Sequence, residues 1–193
     1  MSFEYYNKNS KSFFDDTVNL SMEDHYKLFL PQVKDSGKIL DVGCGSGRDA
    51  KMFFDRGYQV IALDASQKMV ELASNYSGVQ VIQSDFTEIN WINHFDGIWA
   101  CASLLHISKS VFLDVGKKLH SALKIGAPIY MSFKYGDNCY EKDDRLFQCY
   151  NERTLKNVLS QVGFDGQQDI WVTSDVRVNR EDEKWLNAIY IKG

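Results

Sequence analysis

Ile39-Leu40-Asp41-Val42-Gly43-Cys44-Gly45-Ser46-Gly47-Arg48 decides the fold. A short apolar run, Lys38 to Val42, ends in glycines at alternate positions. Asp49 to Asp55 then reads as a helix that Gly57 stops. An apolar run closed by glycines is a buried strand turning sharply into a helix. Glycine reaches positive φ without strain, and a ligand can approach its backbone with no Cβ in the way. The free N–H groups at the helix start favour an anionic or strongly polar group. The spacing is G-x-G-x-G. Dinucleotide-binding turns read G-x-G-x-x-G, with the third glycine tuned to helix packing beside a pyrophosphate.

The same alternation continues along the chain. Gln59 to Leu63 is a second strand, ending at Asp64. Ser66 can N-cap a helix reaching about Ser74, with Met69, Val70 and Ala73 on one face. Val79 to Gln83 and Phe95 to Ala100 are further strands. Val111, Val115, Leu119 and Ala122 repeat at helical period, Gly126 stops that helix, and Pro128 to Phe133 is a fifth strand. Glu152 to Val162 reads as a helix, followed by strands near Gly166 to Val172 and Asn187 to Ile191, close enough in sequence to pair antiparallel. Upstream, Phe13, Phe14, Thr17 and Val18 cluster at helical spacing. Ser21 then Asp24 suits the capped start of a helix through His25 and Leu28 to Leu30.

This pattern predicts an α/β fold: a mostly parallel, seven-stranded sheet covered on both faces, with an antiparallel last strand. Right-handed crossovers leave a crevice at the carboxyl ends of the strands, beside the first strand, where ligands bind. Residues 1–36 read as a helical N-terminal appendage or cap on a single domain spanning 1–193.

Composition narrows the partners. The 193 residues are 44 % hydrophobic and 25 % charged, with a net charge of -4. No long run of Lys or Arg supplies the clustered cations that phosphate neutralisation needs, so a nucleic-acid partner is not expected. Apolar stretches such as Ile98 to Leu105 are too short to span a bilayer, and Met1 to Ser12 lacks an apolar signal core. Cys44, Cys101, Cys139 and Cys149 show no C-x-x-C spacing, so no metal site is expected and reduced thiols in the cytoplasm are. The sequence sets no oligomeric state.

The Asp41 to Arg48 stretch resembles the first motif of class I S-adenosylmethionine (SAM) dependent methyltransferases, whose loop holds the methionine part of the cofactor. The resemblance runs from about Lys38 to Phe133 and implies a three-layer, Rossmann-like methyltransferase fold with SAM as cofactor. It assigns Asp41, Gly43, Cys44, Gly45, Gly47 and Arg48 to cofactor binding. Asp64, about 20 residues past the first glycine, matches the acid that accepts hydrogen bonds from the ribose hydroxyls, with Ala65 beside it. An Asp before Ala65 and Ser66 also suits a helix cap. Asp85 and Phe86 match the adenine contacts, or form an ordinary loop. Ala100 and Cys101 match the exit of the fourth strand, where backbone faces the cofactor's amino group. Leu123-Lys124-Ile125-Gly126-Ala127-Pro128 looks like the family's L-K-P-G-G turn and departs from it at Ile125 and Ala127. Gly47-Arg48-Asp49 and Leu104-Leu105-His106 look most like the small tellurite-resistance-type methyltransferases.

The sulfonium already activates the methyl group, so the enzyme aligns an acceptor lone pair and excludes water. A base is needed only where the acceptor loses a proton. His106, after the fourth strand, is the candidate catalytic residue, and a hydrogen-bonded His before the next helix is its structural alternative. Tyr6, with Tyr5, either closes on the cofactor or simply packs. Lys134, Tyr135, Trp171, Arg177 and Trp185 are candidates for the acceptor pocket. His25, His94 and His120 read as surface or helix residues. The Asn-Pro-Pro-Tyr type signature of amino-methylating nucleic-acid enzymes is absent: Cys101-Ala102-Ser103-Leu104 stands there instead. The expected function is therefore methyl transfer to a small molecule or a soft acceptor (thiol, metalloid or oxyanion), with a link to tellurite resistance. A non-catalytic SAM-binding module is one alternative. An NAD-dependent oxidoreductase is another, and the glycine spacing counts against it.

Overall fold

Strand β1 (Lys38–Val42) lies at the centre of the sheet because all its residues but the first are buried. The computed structural model describes residues 2–177 and 179–193. On one side β1 pairs in parallel with β2 (Gln59–Asp64), and β2 with β3 (Gln80–Gln83). On the other side it pairs with β4 (Gly97–Ala100), then β5 (Pro128–Lys134), again in parallel. The strand order is β3-β2-β1-β4-β5, followed by β9 (Lys184–Ile191) and then β8 (Gln168–Ser174) at the edge. The last strand, β9, runs antiparallel to both its neighbours, β5 and β8. Every residue of β5 is buried, as expected of a strand with both faces covered.

Alternate residues of β5 and β9 feed two cores. Ile129, Met131, Phe133, Leu186, Ala188 and Tyr190 face α5 (Lys109–Ala122) and α6 (Glu152–Ser160). Tyr130 and Ile189 face the opposite layer. There α2 (Glu23–Phe29) and α3 (Arg48–Asp55) pack Tyr26, Phe29 and Phe53 against Trp99. The second helix of the supposed appendage is thus part of the core.

Helix starts follow the side chains available. Ser66 Oγ accepts from Met69 N to cap α4 (Gln67–Ser77), Ser108 caps α5, and Asn151 forms a capping box at α6. Several bounds differ from the sequence expectations: β4 starts at Gly97 rather than Phe95, β9 starts at Lys184 rather than Asn187, and α5 ends at Ala122 ahead of Gly126. Met22, not Ser21, is the N-cap of α2, and Ser21 Oγ only accepts from Glu23 N at 3.4 Å. Helix α4 continues to Ser77, where Gly78 at φ +71° ends it, and α6 stops at Ser160. A hairpin of β6 (Cys139–Lys142) and β7 (Arg145–Gln148) follows β5 and stands over the carboxyl ends of the sheet, beside helix α1 (Ser2–Thr17).

Candidate active site

The carboxyl ends of β1, β2, β4 and β5 open into a cleft of about 1760 Å³. Ligand pockets for one drug-sized molecule run to roughly 300–1,000 Å³, so this cleft has room for two partners side by side. Gly43, Cys44, Gly45 and Ser46 form one wall, with Asp64 and Ala65 from the end of β2, Asp85 and Phe86 after β3, and Cys101, Ala102 and Ser103 after β4.

The glycine turn is built as its sequence demands. Gly43, Gly45 and Gly47 all have positive φ, at 72°, 53° and 77°. Their crowding differs. A Cβ on Gly43 would sit 2.5 Å from Ser103 Cβ, and one on Gly45 would meet the Phe13 ring of α1 at 3.1 Å. A Cβ on Gly47 would meet the backbone of Ala73 in α4 at about 3.0 Å. Gly47 is buried between α3 and α4 and is not on the cleft wall, so its absent side chain serves helix packing. Asp41 and Ala100 are likewise buried behind the wall.

Asp64 fastens the turn to the next strand. Its Oδ2 accepts from Gly45 N at 3.0 Å and its Oδ1 from Ser66 N at 2.9 Å. Burial raises its pKa and these two N–H groups oppose the rise. The N-cap of α4 is Ser66 itself, so Asp64 holds the turn rather than the helix end. Asp85 Oδ1 accepts from Thr87 N and Thr87 Oγ1, which sets its carboxylate at the rim. Two polar atoms behind and beside the loop, Asp41 Oδ2 and Ser103 Oγ, are buried without a hydrogen-bond partner. Burial and the nearby Asp49 hold the Asp41 carboxyl well above the usual carboxylate range. A ligand with polar groups at this turn answers the orphaned Ser103 hydroxyl, which lies on the wall.

Arg48 lines the cleft, but its fork is already engaged. Nε and Nη2 donate to Asp49 Oδ1 and Oδ2 at 2.7 and 2.8 Å. Asp49 also accepts from the Tyr26 hydroxyl and from Trp99 Nε1 at 2.8 Å. Burial alone would raise the Asp49 pKa, but Arg48 and these donors hold it below the usual carboxylate range. The pair ties α3 to α2 and β4 under the cleft floor. Arg48 therefore shapes the site through Asp49. Cys101 is beside it, its thiol pushed up to about 12 by burial and by Asp49.

Helix α1 forms the roof. Asn7 Oδ1 accepts from Ser66 Oγ at 2.7 Å and from Lys68 N at 3.2 Å, which pins the roof to the start of α4. At the far side the Tyr6 hydroxyl lies 2.7 Å from His106 Nε2, and His106 Nδ1 lies 2.8 Å from the carbonyl oxygen of Leu146 in β7. A carbonyl only accepts, so Nδ1 carries the proton and Nε2 accepts from Tyr6. Burial lowers the His106 pKa to about 4, which keeps the ring neutral near pH 7.

His25 lies where the sequence did not place it. It is buried, with its ring 6.1 Å from Trp171 and 5.8 Å from Tyr130, and it faces the cleft. Of the other late candidates, Lys134 and Trp185 reach the same wall through a buried carboxylate. Asp175 accepts from Lys134 Nζ at 3.3 Å, Trp185 Nε1 at 2.9 Å and Arg177 Nε at 2.9 Å. Tyr135 stands at the exposed rim, while Trp171 packs behind the wall against Tyr130. Asp175, Asn187 and the β6–β7 residues were missed, since no local motif marks them. His94 and His120 lie away from the cleft. Among the described residues no cluster of three or more His, Cys, Asp or Glu side chains suits a metal ion, and no helix is long and apolar enough to cross a membrane.

The strand order with its antiparallel β9, and the glycine turn at the head of β1, define the fold class: that of the class I SAM-dependent methyltransferases. Residues 39–126 match the family model described as "Methyltransferase domain". Over its full length the chain is similar in structure to 1,6-didemethyltoxoflavin-N1-methyltransferase from Burkholderia thailandensis, with a TM-score of 0.78, 20 % identity, and coverage of 99 % of this chain and 85 % of that one. A TehB-like SAM-dependent methyltransferase from Corynebacterium glutamicum is similar at a TM-score of 0.70 and 16 % identity, covering 100 % of this chain and 98 % of that one. In sequence, sterol 24-C-methyltransferase of Yarrowia lipolytica is 26 % identical over 163 residues, 74 % of this chain and 43 % of the enzyme. The chain spans about half the length of such curated relatives.

Proposed function

We propose that this protein transfers a methyl group from SAM to a small-molecule acceptor held under helix α1. The observation that carries the reading is the single cleft that joins a side-chain-free turn with Asp64 at one end and the Tyr6–His106 pair at the other. SAM supplies an activated methyl on a sulfonium. The backbone of Gly43 and Gly45 would border its methionine part without a Cβ in the way, with Ser103 Oγ there to bond to it. Asp64 and Ala65 receive the ribose, Asp85 and Phe86 the adenine. Ala102 and Cys101 close the wall next to the reacting centre.

Where the acceptor nucleophile bears a proton, the Tyr6 oxygen takes it while the Tyr6 proton passes to His106 Nε2. The new imidazolium is held through Nδ1–H by the Leu146 carbonyl. Helix α1 excludes water from this path. The likeness to the methyltransferase with bound 1,6-didemethyltoxoflavin and S-adenosylhomocysteine supports the small-molecule reading. The narrower form is a soft acceptor, thiol, metalloid or oxyanion. It is supported by the likeness to the TehB-like protein and by Cys101-Ala102-Ser103 after β4, where nucleic-acid amino methyltransferases carry a different signature.

An NAD-dependent oxidoreductase fits less well, because the doubly wound dinucleotide fold has an all-parallel 3-2-1-4-5-6 sheet and β9 here is antiparallel. Calorimetry with S-adenosylhomocysteine and NAD, followed by a radiolabelled methyl-transfer screen over thiols, phenols, heteroaromatic amines and tellurite, tests the reading. Micromolar S-adenosylhomocysteine binding with turnover of one acceptor class is expected. Binding without turnover of any class would leave a SAM-binding module instead, and NAD binding in its place would end the proposal.

A further inference from the structure

Among the described residues, the ion-paired cations Arg48, Lys134, Arg145 and Arg177 on the cleft wall have side chains less than a third exposed, and three of them are neutralised. Arg48 forks onto Asp49, Lys134 is shared by Asp175 and Glu183, and Arg177 forks onto Asp175. The fourth, Arg145 at the start of β7, differs. Its side chain is only 14 % exposed, its one ion-pair contact is Nη2 to the half-exposed Asp143 at 3.3 Å, and its Nε is buried with no hydrogen-bond partner. The guanidinium carbon lies 3.7 Å from the centre of the Tyr5 ring, 5.2 Å from Phe147 and 5.7 Å from Tyr6. Arg145 also hydrogen-bonds the Tyr6 hydroxyl, whereas the faces of Tyr5 and Phe147 accept none of its remaining N–H groups along their in-plane directions, so Nε stays unpaired. A guanidinium that is desolvated and incompletely paired is costly unless an anion offering two oxygens to its fork completes it.

We infer that Arg145 is the anchor for an oxyanion group, a carboxylate or a phosphate, carried by the methyl acceptor. The inference rests on the methyltransferase reading and names the chemistry of its second substrate. Its position fits the task. Arg145 is in the residue before Leu146, whose carbonyl holds His106, and its fork lies beside the ring of Tyr6. An anion gripped there sets the rest of a small, flat acceptor between Tyr5, Phe147 and the Tyr6–His106 pair. Arginine suits the role because its fixed fork orients as well as attracts, which a lysine ammonium does not. The group is specificity-determining and takes no part in bond making.

The test uses the full-length protein saturated with S-adenosylhomocysteine, titrated at fixed ionic strength with benzoate and separately with phenyl phosphate. Wild type is expected to bind at least one of them, and the stronger of the two identifies the anion. Arg145→Met is expected to weaken that binding by about tenfold or more, the size of one lost charge-assisted hydrogen bond, with Arg145→Lys between the two. S-adenosylhomocysteine affinity should stay within about threefold in both variants, which also shows that they fold. An anion response unchanged in Arg145→Met, or absent from the loaded wild type, overturns the inference alone. Loss of S-adenosylhomocysteine affinity in Arg145→Met overturns it in favour of a roof-holding role. Wild type that binds no S-adenosylhomocysteine overturns the methyltransferase reading as well.

Discussion

The Tyr6 hydroxyl donates to His106 Nε2 at 2.7 Å although 100 positions separate the two residues. One belongs to helix α1 and the other to the loop after β4, so the pair requires α1 to lie over the cleft, and the proposed proton transfer would depend on the same contact that excludes water. With an acceptor in hand, His106→Gln should lower turnover by about tenfold or more, less than the roughly 10²–10⁴-fold worth of a base matched to the working pH, because burial holds the His106 pKa at about 4. Tyr6→Phe should lower it similarly. S-adenosylhomocysteine affinity should barely move in His106→Gln. An equal loss of cofactor affinity would make the pair a latch with no chemical role.

The same pair predicts a pH dependence. Burial drops the folded-state His106 pKa to about 4, against an unfolded value of about 6.5. Between those values the unfolded chain binds the extra proton, so this residue's contribution to stability is complete above about pH 6.5 and is lost as pH falls toward 4. Thermal unfolding of the unliganded protein should show melting temperatures that fall across that window, and His106→Gln should flatten the fall. A variant whose profile overlays wild type would remove His106 as the cause.

Asp49 is a buried acceptor for Arg48, Tyr26 and Trp99 at once. Asp49→Ala strands a buried guanidinium and two donors, and should cost about 3–5 kcal/mol in urea unfolding. Asp49→Asn, with one oxygen left to accept, should cost less. A loss below about 1 kcal/mol in the alanine variant would show that water reaches the site and solvates Arg48.

Gly43 and Ser103 form a steric pair. Gly43→Ala forces a Cβ into Ser103 Cβ at positive φ, and should destabilise by about 1–3 kcal/mol. Ser103→Gly in the same chain should restore the steric part and leave the cost of the left-handed backbone. Additive effects in this double-mutant cycle would mean that the loop after β4 moves aside freely.

Asp64 has two jobs, and one variant separates them. Asp64→Ala should weaken S-adenosylhomocysteine by about 1–3 kcal/mol through lost hydrogen bonds to charge. It should also lower stability, because Gly45 N and Ser66 N lose their acceptor. A stability loss with cofactor affinity intact would confine Asp64 to holding the turn.

The sheet and the glycine turn were legible because their signals are local. Apolar runs of strand length alternate with helical periods from Lys38 to Phe133, and Gly57 and Gly78 mark helix stops. What escaped is non-local. His25 is polar and sits on a short helix, so nothing nearby reveals that Trp171 and Tyr130 wall it in. The β6–β7 hairpin has a fully exposed first strand and turns at Asp143-Asp144, both at positive φ without a glycine to announce it. Arg145 went unnoticed for the same reason. Gly47 carried the right residue with a different cause: the spacing suggested a ligand, and the structure sets it against Ala73.

Strand β9 is threaded between β5 and β8, and β8 has no other partner in the sheet. A chain emerging from the ribosome can therefore assemble the order β3-β2-β1-β4-β5 first and must wait for β9 before β8 can dock. The turn at Gly43 to Gly47 belongs to the early half, and the buried carboxylate of Asp175, with Arg177 and Trp185, to the late one. A nascent protein would thus complete the glycine turn before the Asp175 wall exists, and translation itself would impose an order on the two sides of the cleft.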